Sequence, residues 1–198
     1  MVEETRRLIT DIAWSGRDFR EILTARHTYV SSDLAKHYGL PAPEQEFDRV
    51  ELPEESPSAG LLGRASFLTM TSKPGETSPT MRGLFVREHL LCEKVPDPPP
   101  DASATLPPLS EDKPLANRDL LGAHLTNPTC AGCHKLIDSV GFGLEMYDAV
   151  GQHREKQSIT FFPSRAEREK DPVTVQVDIN PTGILSGVSD RPFSSPRE

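Results

Sequence analysis

Cys130-Ala131-Gly132-Cys133-His134 is the most specific stretch of this 198-residue sequence, and it decides how the surrounding chain is interpreted. Positions i, i+3 and i+4 share one face of an α-helix, so on a helical turn the two thiols and the imidazole point the same way. The pattern C-x-x-C-H is typical of covalent c-type haem attachment. We therefore expect one haem c, with Cys130 and Cys133 forming thioethers and His134 binding the iron.

A zinc site is the main alternative for the same cysteines, because Cys-x-x-Cys also opens many zinc knuckles. A closed structural zinc site usually needs four ligands, and the sequence contains no second Cys-x-x-Cys and no closely spaced pair of histidines after it. Cys92, His124 and His153 are the candidates for the missing ligands. This alternative predicts a zinc-stabilised structural or interaction module without redox activity.

The sequence on both sides of this stretch favours helices. Residues 115–126 show helical periodicity, and Asn127-Pro128 ends that helix just before the motif. Ile137 extends the apolar side of the motif helix by about one turn. Residues 140–148 predict a glycine-rich turn into a short helix, which Gly151 closes.

Further from the motif, apolar spacing predicts more helices, and one segment predicts a strand. Residues 173–179 alternate with β-branched side chains on one face, and residues 184–185 are the expected return strand of a small C-terminal β-hairpin. Residues 41–57 predict a loop. The other predicted helices cover residues 2–14, 19–25, 32–38 (capped by Ser32 or Asp33), 60–70 and 79–92 (capped by Ser78).

Composition and the proline distribution set the fold class and the domain boundaries. Only 35% of residues are hydrophobic, and 19 are prolines, so we expect a mainly α, loop- and proline-rich fold. Residues 95–110 contain 6 prolines in 16 positions, which favours an extended polyproline strap or linker. We predict the end of an upstream helical domain at 1–40, a helical segment plus the strap at 41–110, and the haem-binding module at 111–198.

Charge and terminal sequence indicate the partners and the compartment. The formal net charge of −8 argues against nucleic acid or an anionic membrane surface as the main partner. No apolar run reaches the roughly 18–20 residues of a membrane span, and the N-terminus lacks the pattern of a signal peptide. Because c-type haem is attached outside the cytoplasmic membrane, we expect a periplasmic or otherwise extracytoplasmic piece of a longer exported chain.

With these stretches laid out, the chain resembles the C-terminal modules of the planctomycete-type cytochrome c multidomain proteins. Residues 19–39 resemble the end of one such domain, and residues 66–68, 77–83, 90–92 and the proline run resemble the next. Residues 124–154 resemble the closing signature, in which His precedes Cys-x-x-Cys-His, Asp-Pro-x-Gly-Phe, Glu, Phe-Asp and Gly-x-x-Arg. The sequence departs from it at Ile137 and Ser139, where the family often has Met and Pro.

The resemblance implies haem binding and electron transfer, with a redox partner protein or other domains of the same polypeptide as partners. It leaves the sixth haem ligand open among Met146, Met70, Met81, His124 or none. An open sixth position would permit peroxidase-like chemistry, so this ligand separates an electron carrier from a catalyst.

Three other side chains have two interpretations each. Arg82 and Arg87 belong to a helix surface or form salt bridges to haem propionates. Cys92 is a buried small hydrophobe or a free thiol.

Overall fold

The computed structural model describes residues 1–99, 106–163 and 171–198, which fall into two compact units. No helix among these residues is long and apolar enough to cross a membrane. Of the predicted proline-rich strap at 95–110, residues 100–105 lie outside the described ranges. Its described parts, 95–99 and 106–109, form neither helix nor strand, as the prolines require.

Unit 1 consists of Met1–Ser78, Tyr147–His153 and Phe193–Glu198, and it contains short helices and an antiparallel strand pair. Strand β1 pairs with β2 so that Thr28 lies opposite Val50. The elements in chain order are α1 (Val2–Trp14), α2 (Glu21–Thr24), β1 (His27–Val30), α3 (Ser32–Tyr38), β2 (Asp48–Glu51), a 3₁₀ turn (Leu61–Gly63) and α4 (Ala65–Met70).

Helix α1 covers the predicted residues 2–14 and buries its apolar face. Leu8 and Ile12 pack against Ile22 and Ala25 in one core cluster of unit 1. Helix α3 covers the predicted residues 32–38, but its cap is Ser31 and not Ser32 or Asp33, because the Ser31 side chain accepts from the backbone N–H of Leu34.

The prediction of a loop over residues 41–57 is wrong for Asp48–Glu51, which form β2. This segment is mostly charged, so its own sequence gives no strand signal. Its partner strand β1 supplies the backbone hydrogen bonds, and that pairing is a tertiary effect.

Unit 2 consists of Pro79–Met146 and Arg154–Pro192, and its described part centres on the contact between α5 and α7. Strand β3 pairs antiparallel with β4, and β5 pairs with β6. The elements are α5 (Pro79–Phe85), a π-helical continuation (Val86–Leu90), α6 (Asn117–Thr126), α7 (Pro128–Phe142), β3 (Lys156–Phe161), β4 (Val173–Asp178), β5 (Gly183–Leu185) and β6 (Ser189–Phe193).

Two glycines let the backbones of α5 and α7 approach unusually closely. A Cβ atom on Gly83 would lie 1.8 Å from the carbonyl oxygen of Ile137, and one on Gly141 would lie 1.8 Å from that of Pro79. No side chain fits at such distances, so both positions require glycine. The α5–α7 contact is therefore set by backbone against backbone.

The predicted helices and small antiparallel strand pairs are present, but the fold class is mixed α and β and not clearly mainly α as predicted. Of the described residues, 38% are helical and 18% are in strands or bridges. The strands that the sequence did not predict include short segments such as β2 and β6, whose polar sequences show no apolar alternation. Their pairing depends on partners supplied by the rest of the chain.

The predicted C-terminal hairpin has the right strand but the wrong partner. Strand β4 forms as predicted, yet it pairs with β3 over six residues, from Lys156 opposite Asp178 to Phe161 opposite Val173. The expected return strand is the three-residue β5, which pairs with β6 instead. A six-residue strand gains more backbone hydrogen bonds from β3 than from so short a segment.

The prediction of a turn from residue 140 was also wrong, because α7 continues through Phe142. Gly141 is unfavourable in a helix interior, but here it permits the close contact with Pro79. Residues 143–146 then form turns, and no short helix follows them.

Candidate functional site

Helix α7 begins immediately before the cysteine–histidine motif. Asn127 ends α6 and also caps α7, because its side-chain oxygen accepts a hydrogen bond from the backbone N–H of Thr129 at 3.0 Å. Pro128 occupies the first helical position, where its missing N–H costs nothing. The pair Asn127-Pro128 therefore separates two helices and places the motif in the first turns of the second.

The three predicted site residues lie on α7, as their spacing indicated. Cys130 and Cys133 are free thiols of intermediate exposure, one helical turn apart. The side chain of His134 is 21% exposed. Spacing of i, i+3 and i+4 on a regular helix puts the three side chains on a common face.

The His134 ring is held from one side by a buried carboxylate. Its Nδ1 lies 2.8 Å from Oδ2 of Asp138, which is completely buried. The hydroxyl of Thr80 donates to the other carboxylate oxygen at 2.7 Å. An ionised carboxylate only accepts, so Nδ1 carries the proton of a neutral His134 and the lone pair is on Nε2.

A second histidine packs against the first. The His124 ring, at the end of α6, makes an edge-to-face contact with His134, with 4.5 Å between the ring centroids. Both ring nitrogens of His124 are shut off from solvent and have no hydrogen-bond partner among the described residues. Burial, and after it the neighbouring His134, lowers the pKa of His124 below its usual value, which favours the neutral ring.

Two family models match this chain. One, PSCyt3, described as a protein of unknown function (DUF1588), covers residues 58–157, which is just over half of the sequence. The chain belongs to the PSCyt3 family. The other, PSD4, also described as a protein of unknown function (DUF1592), covers residues 1–40. Both are names of planctomycete-type cytochrome c domains, which agrees with the resemblance found in the sequence. Searches of curated proteins and of solved structures found no match.

The PSCyt3 range includes both the motif helix and the arginines of the α5 segment. Arg82 is completely buried and donates to the carbonyl oxygen of Leu144 at 2.7 Å and to Glu145 at 3.2 Å. Arg87 is 1% exposed and binds the carbonyl oxygen of Leu136 at 3.2 Å and Glu93 at 2.7 Å. Neither guanidinium is on the surface, so the helix-surface interpretation of these arginines is wrong, whereas salt bridges to haem propionates stay a prediction.

The remaining candidate ligands in the PSCyt3 range differ in exposure. Met146 is half-buried, whereas Met81 and Met70 are 48% and 65% exposed. Cys92 is exposed and follows the π-helical turn with a positive φ of 55°. It is therefore a free surface thiol and not a buried small hydrophobe.

Among the described residues, no three His, Cys, Asp or Glu side chains converge closely enough to hold a metal ion. This geometry bears on the two cofactor hypotheses differently. A structural zinc ion needs about four protein ligands. A haem iron already has four porphyrin nitrogens and needs only one or two side chains, so the donors on α7 fit haem better than zinc.

Unit 1 contains a separate feature that the sequence did not indicate. A cavity of about 300 Å³ is lined in part by Tyr38, Arg64, Tyr147 and His153. Behind it, the buried carboxylate of Glu4 accepts hydrogen bonds from Thr28 at 2.6 Å and from Tyr38 at 3.0 Å. Arg64, 1% exposed, lies 3.8 Å from Glu4.

Sequence reasoning missed Asp138 and Thr80 as parts of the α7 site. Asp138 stands four residues after His134, and the rule that i and i+4 side chains meet on a helix could have found it. Thr80 is 58 positions away in sequence, so no local pattern could have placed it at this carboxylate.

Proposed function

We propose that this chain binds one haem c covalently and transfers electrons as part of a larger exported multidomain protein. Cys130 and Cys133 would hold the haem and His134 would bind its iron through Nε2. When bound, the haem supplies a one-electron iron couple. A redox partner protein or another domain of the same polypeptide would exchange electrons with it, outside the cytoplasm.

The hydrogen bond from His134 to Asp138 is the observation that supports this proposal most directly. Histidines that bind metals almost always donate their second ring N–H to a carboxylate, a carbonyl or water. The 2.8 Å contact from Nδ1 leaves Nε2 as the basic nitrogen before any ligand arrives. Burial of Asp138 keeps water from competing for that hydrogen bond.

The spacing of the two cysteines and their free thiols also support the proposal. Both are reduced, unpaired and partly exposed on the same side of α7 as His134. Each thiol would add across one vinyl group, with the sulfur bonding to one carbon and the hydrogen going to its neighbour. The addition needs no outside oxidant or reductant, because atoms and electrons balance within the two reactants.

The contact with His134 argues against His124 as the sixth ligand. Two imidazoles on opposite sides of one metal ion place their nitrogens about 4 Å apart, and their ring centres about 6 Å apart. The observed centroid distance is 4.5 Å in an edge-to-face arrangement, so His124 lies beside His134. We infer that His124 would orient the His134 ring rather than bind the iron.

Covalent attachment is tested by producing the chain in a periplasm that contains the c-type haem maturation machinery. We expect a coloured product whose intact mass is greater by one haem. Cys92→Ala should keep the haem, because Cys92 lies outside the motif, whereas the double variant Cys130→Ala/Cys133→Ala should lose it.

A colourless product of unmodified mass would contradict the proposal. Zinc in that product by elemental analysis would support the structural alternative instead. In a haem-loaded protein, a shift of the Soret band on addition of cyanide or imidazole would indicate an open or weakly held sixth position.

A further inference from the structure

We propose that Asp138 is a positioning residue that acts through His134 to hold the haem iron at a low reduction potential, with Thr80 moderating its effect. This inference rests on the proposed function and adds a role for two residues outside the motif. It concerns the hydrogen-bonded chain from Thr80 to Asp138 to His134, which joins α5 to α7.

The hydrogen-bonded chain from Thr80 to His134 uses both carboxylate oxygens of Asp138. Asp138 has no solvent-exposed surface; its Oδ1 accepts from Thr80 at 2.7 Å and its Oδ2 from His134 at 2.8 Å. Hydrogen bonds to an ionised group are roughly twice as strong as neutral ones, and a low-dielectric interior strengthens them further. The carboxylate charge is therefore directed mainly at two donors.

The surrounding backbone restrains this hydrogen-bonded chain of three side chains. Two close backbone approaches between α5 and α7 flank it: Gly141 meets the carbonyl of Pro79, next to Thr80, and Gly83 meets the carbonyl of Ile137, next to Asp138. Backbone contact on both flanks restrains the distance between Thr80 and Asp138, which lie on different helices. The Asp138–His134 bond joins residues one turn apart on α7 itself, so the geometry of that helix sets it.

A carboxylate that accepts from Nδ1 gives the imidazole partial negative charge. Such an imidazole donates more electron density to iron and favours the oxidised, more positive state, which lowers the reduction potential. Thr80 has the opposite effect, because its O–H donates to the same carboxylate and draws charge away from the His134 side.

These roles predict shifts of opposite sign in the haem-loaded full chain. Asp138→Asn keeps the size and an acceptor oxygen but removes the charge, so the potential should rise. We expect the equilibrium constant for reduction to increase about tenfold or more, and tenfold corresponds to about 59 mV for one electron. Thr80→Val removes the competing donor, so the potential should fall by a smaller amount, while Thr80→Ser should match the parent chain.

The measurement is a spectroelectrochemical titration of the parent chain and the three variants. An unchanged potential in Asp138→Asn, or shifts of the same sign in Asp138→Asn and Thr80→Val, would overturn the inference. A merely structural role for these residues would reduce stability in both variants without shifts of opposite sign.

A haem-free measurement separates this inference from the proposed function. ¹⁵N NMR of the unloaded chain should find His134 with its proton on Nδ1, and Asp138→Leu should convert it to a mixture of tautomers. A mixture in the parent chain would overturn the role of Asp138 alone. Failure of the parent chain to acquire haem would overturn both ideas, and the mass measurement would identify that case.

Discussion

Glu4 in unit 1 and Asp138 in unit 2 are both fully buried carboxylates, yet their surroundings differ in kind. Glu4 is enclosed by buried or mostly buried partners: Thr28, Tyr38 and Arg64. Asp138 has two partly exposed partners, Thr80 and His134, and His134 has a ring nitrogen to spare.

The difference separates a structural network from a candidate binding site. We interpret the Glu4 cluster as a closed network that mainly stabilises the fold, because its carboxylate is fully buried and its three partners are buried or mostly buried. A hydrogen-bonded chain that ends at a partly exposed imidazole lets the buried carboxylate change how strongly that imidazole binds a ligand. Four predictions, in order of decreasing effect, test whether the two regions divide in this way.

Arg64→Met should have the largest effect on stability. It leaves Glu4 buried without its counter-charge, and breaking a buried pair from one side costs about 3–5 kcal/mol. Urea unfolding followed by circular dichroism measures the loss. The double variant Glu4→Leu/Arg64→Met should recover most of it, and Arg6→Met, at an exposed pair, should have no measurable effect. A single variant as stable as the parent would contradict the closed-network interpretation.

Gly141→Ala should destabilise unit 2 by about 2–3 kcal/mol, because the new methyl group would collide with the Pro79 backbone. Gly122→Ala is the matched control, since Gly122 lies in α6 with open space around it. It should stabilise the protein by up to about 1 kcal/mol through helix propensity. Equal stability changes in the two variants would disprove the role assigned to close α5–α7 contact.

Glu4→Gln should alter how stability depends on pH. Burial raises the pKa of Glu4 above 4.5, so as pH rises past 4.5 the unfolded chain releases this proton before the folded one does. The parent protein therefore loses stability over that interval, by at most about 1.4 kcal/mol per pH unit. Urea midpoints between pH 4 and 8 should show this loss reduced in the variant. Parallel curves for the two proteins would rule out the raised pKa.

His134→Ala should have the smallest effect, under about 1 kcal/mol, because the side chain is partly exposed and Thr80 still serves Asp138. Tyr38→Phe is its counterpart in unit 1. That change removes the hydroxyl between Glu4 and the backbone N–H of Ala65 and should cost about 1–3 kcal/mol. Thermal unfolding of the two variants would refute the contrast if His134→Ala proved the less stable.

Local patterns predicted several helices, including the one that carries the candidate site. The apolar spacing of residues 2–14 defined α1, and Asn127-Pro128 marked the boundary between α6 and α7. These signals work because a cap, a proline or an amphipathic face acts within one or two turns of chain. Strand β2 was missed because it has no such local pattern and forms only by pairing with β1.

The sequence by itself predicted that Cys130, Cys133 and His134 share a helical face, and α7 has that spacing. It also predicted β4 from its alternating side chains. Only the tertiary structure decided that β4 pairs with β3, that Arg82 and Arg87 are buried, and that Thr80 reaches the carboxylate behind His134. The reason is physical: spacing along the chain fixes which side chains share an element, whereas hydrogen bonds between distant elements depend on how their backbones pack.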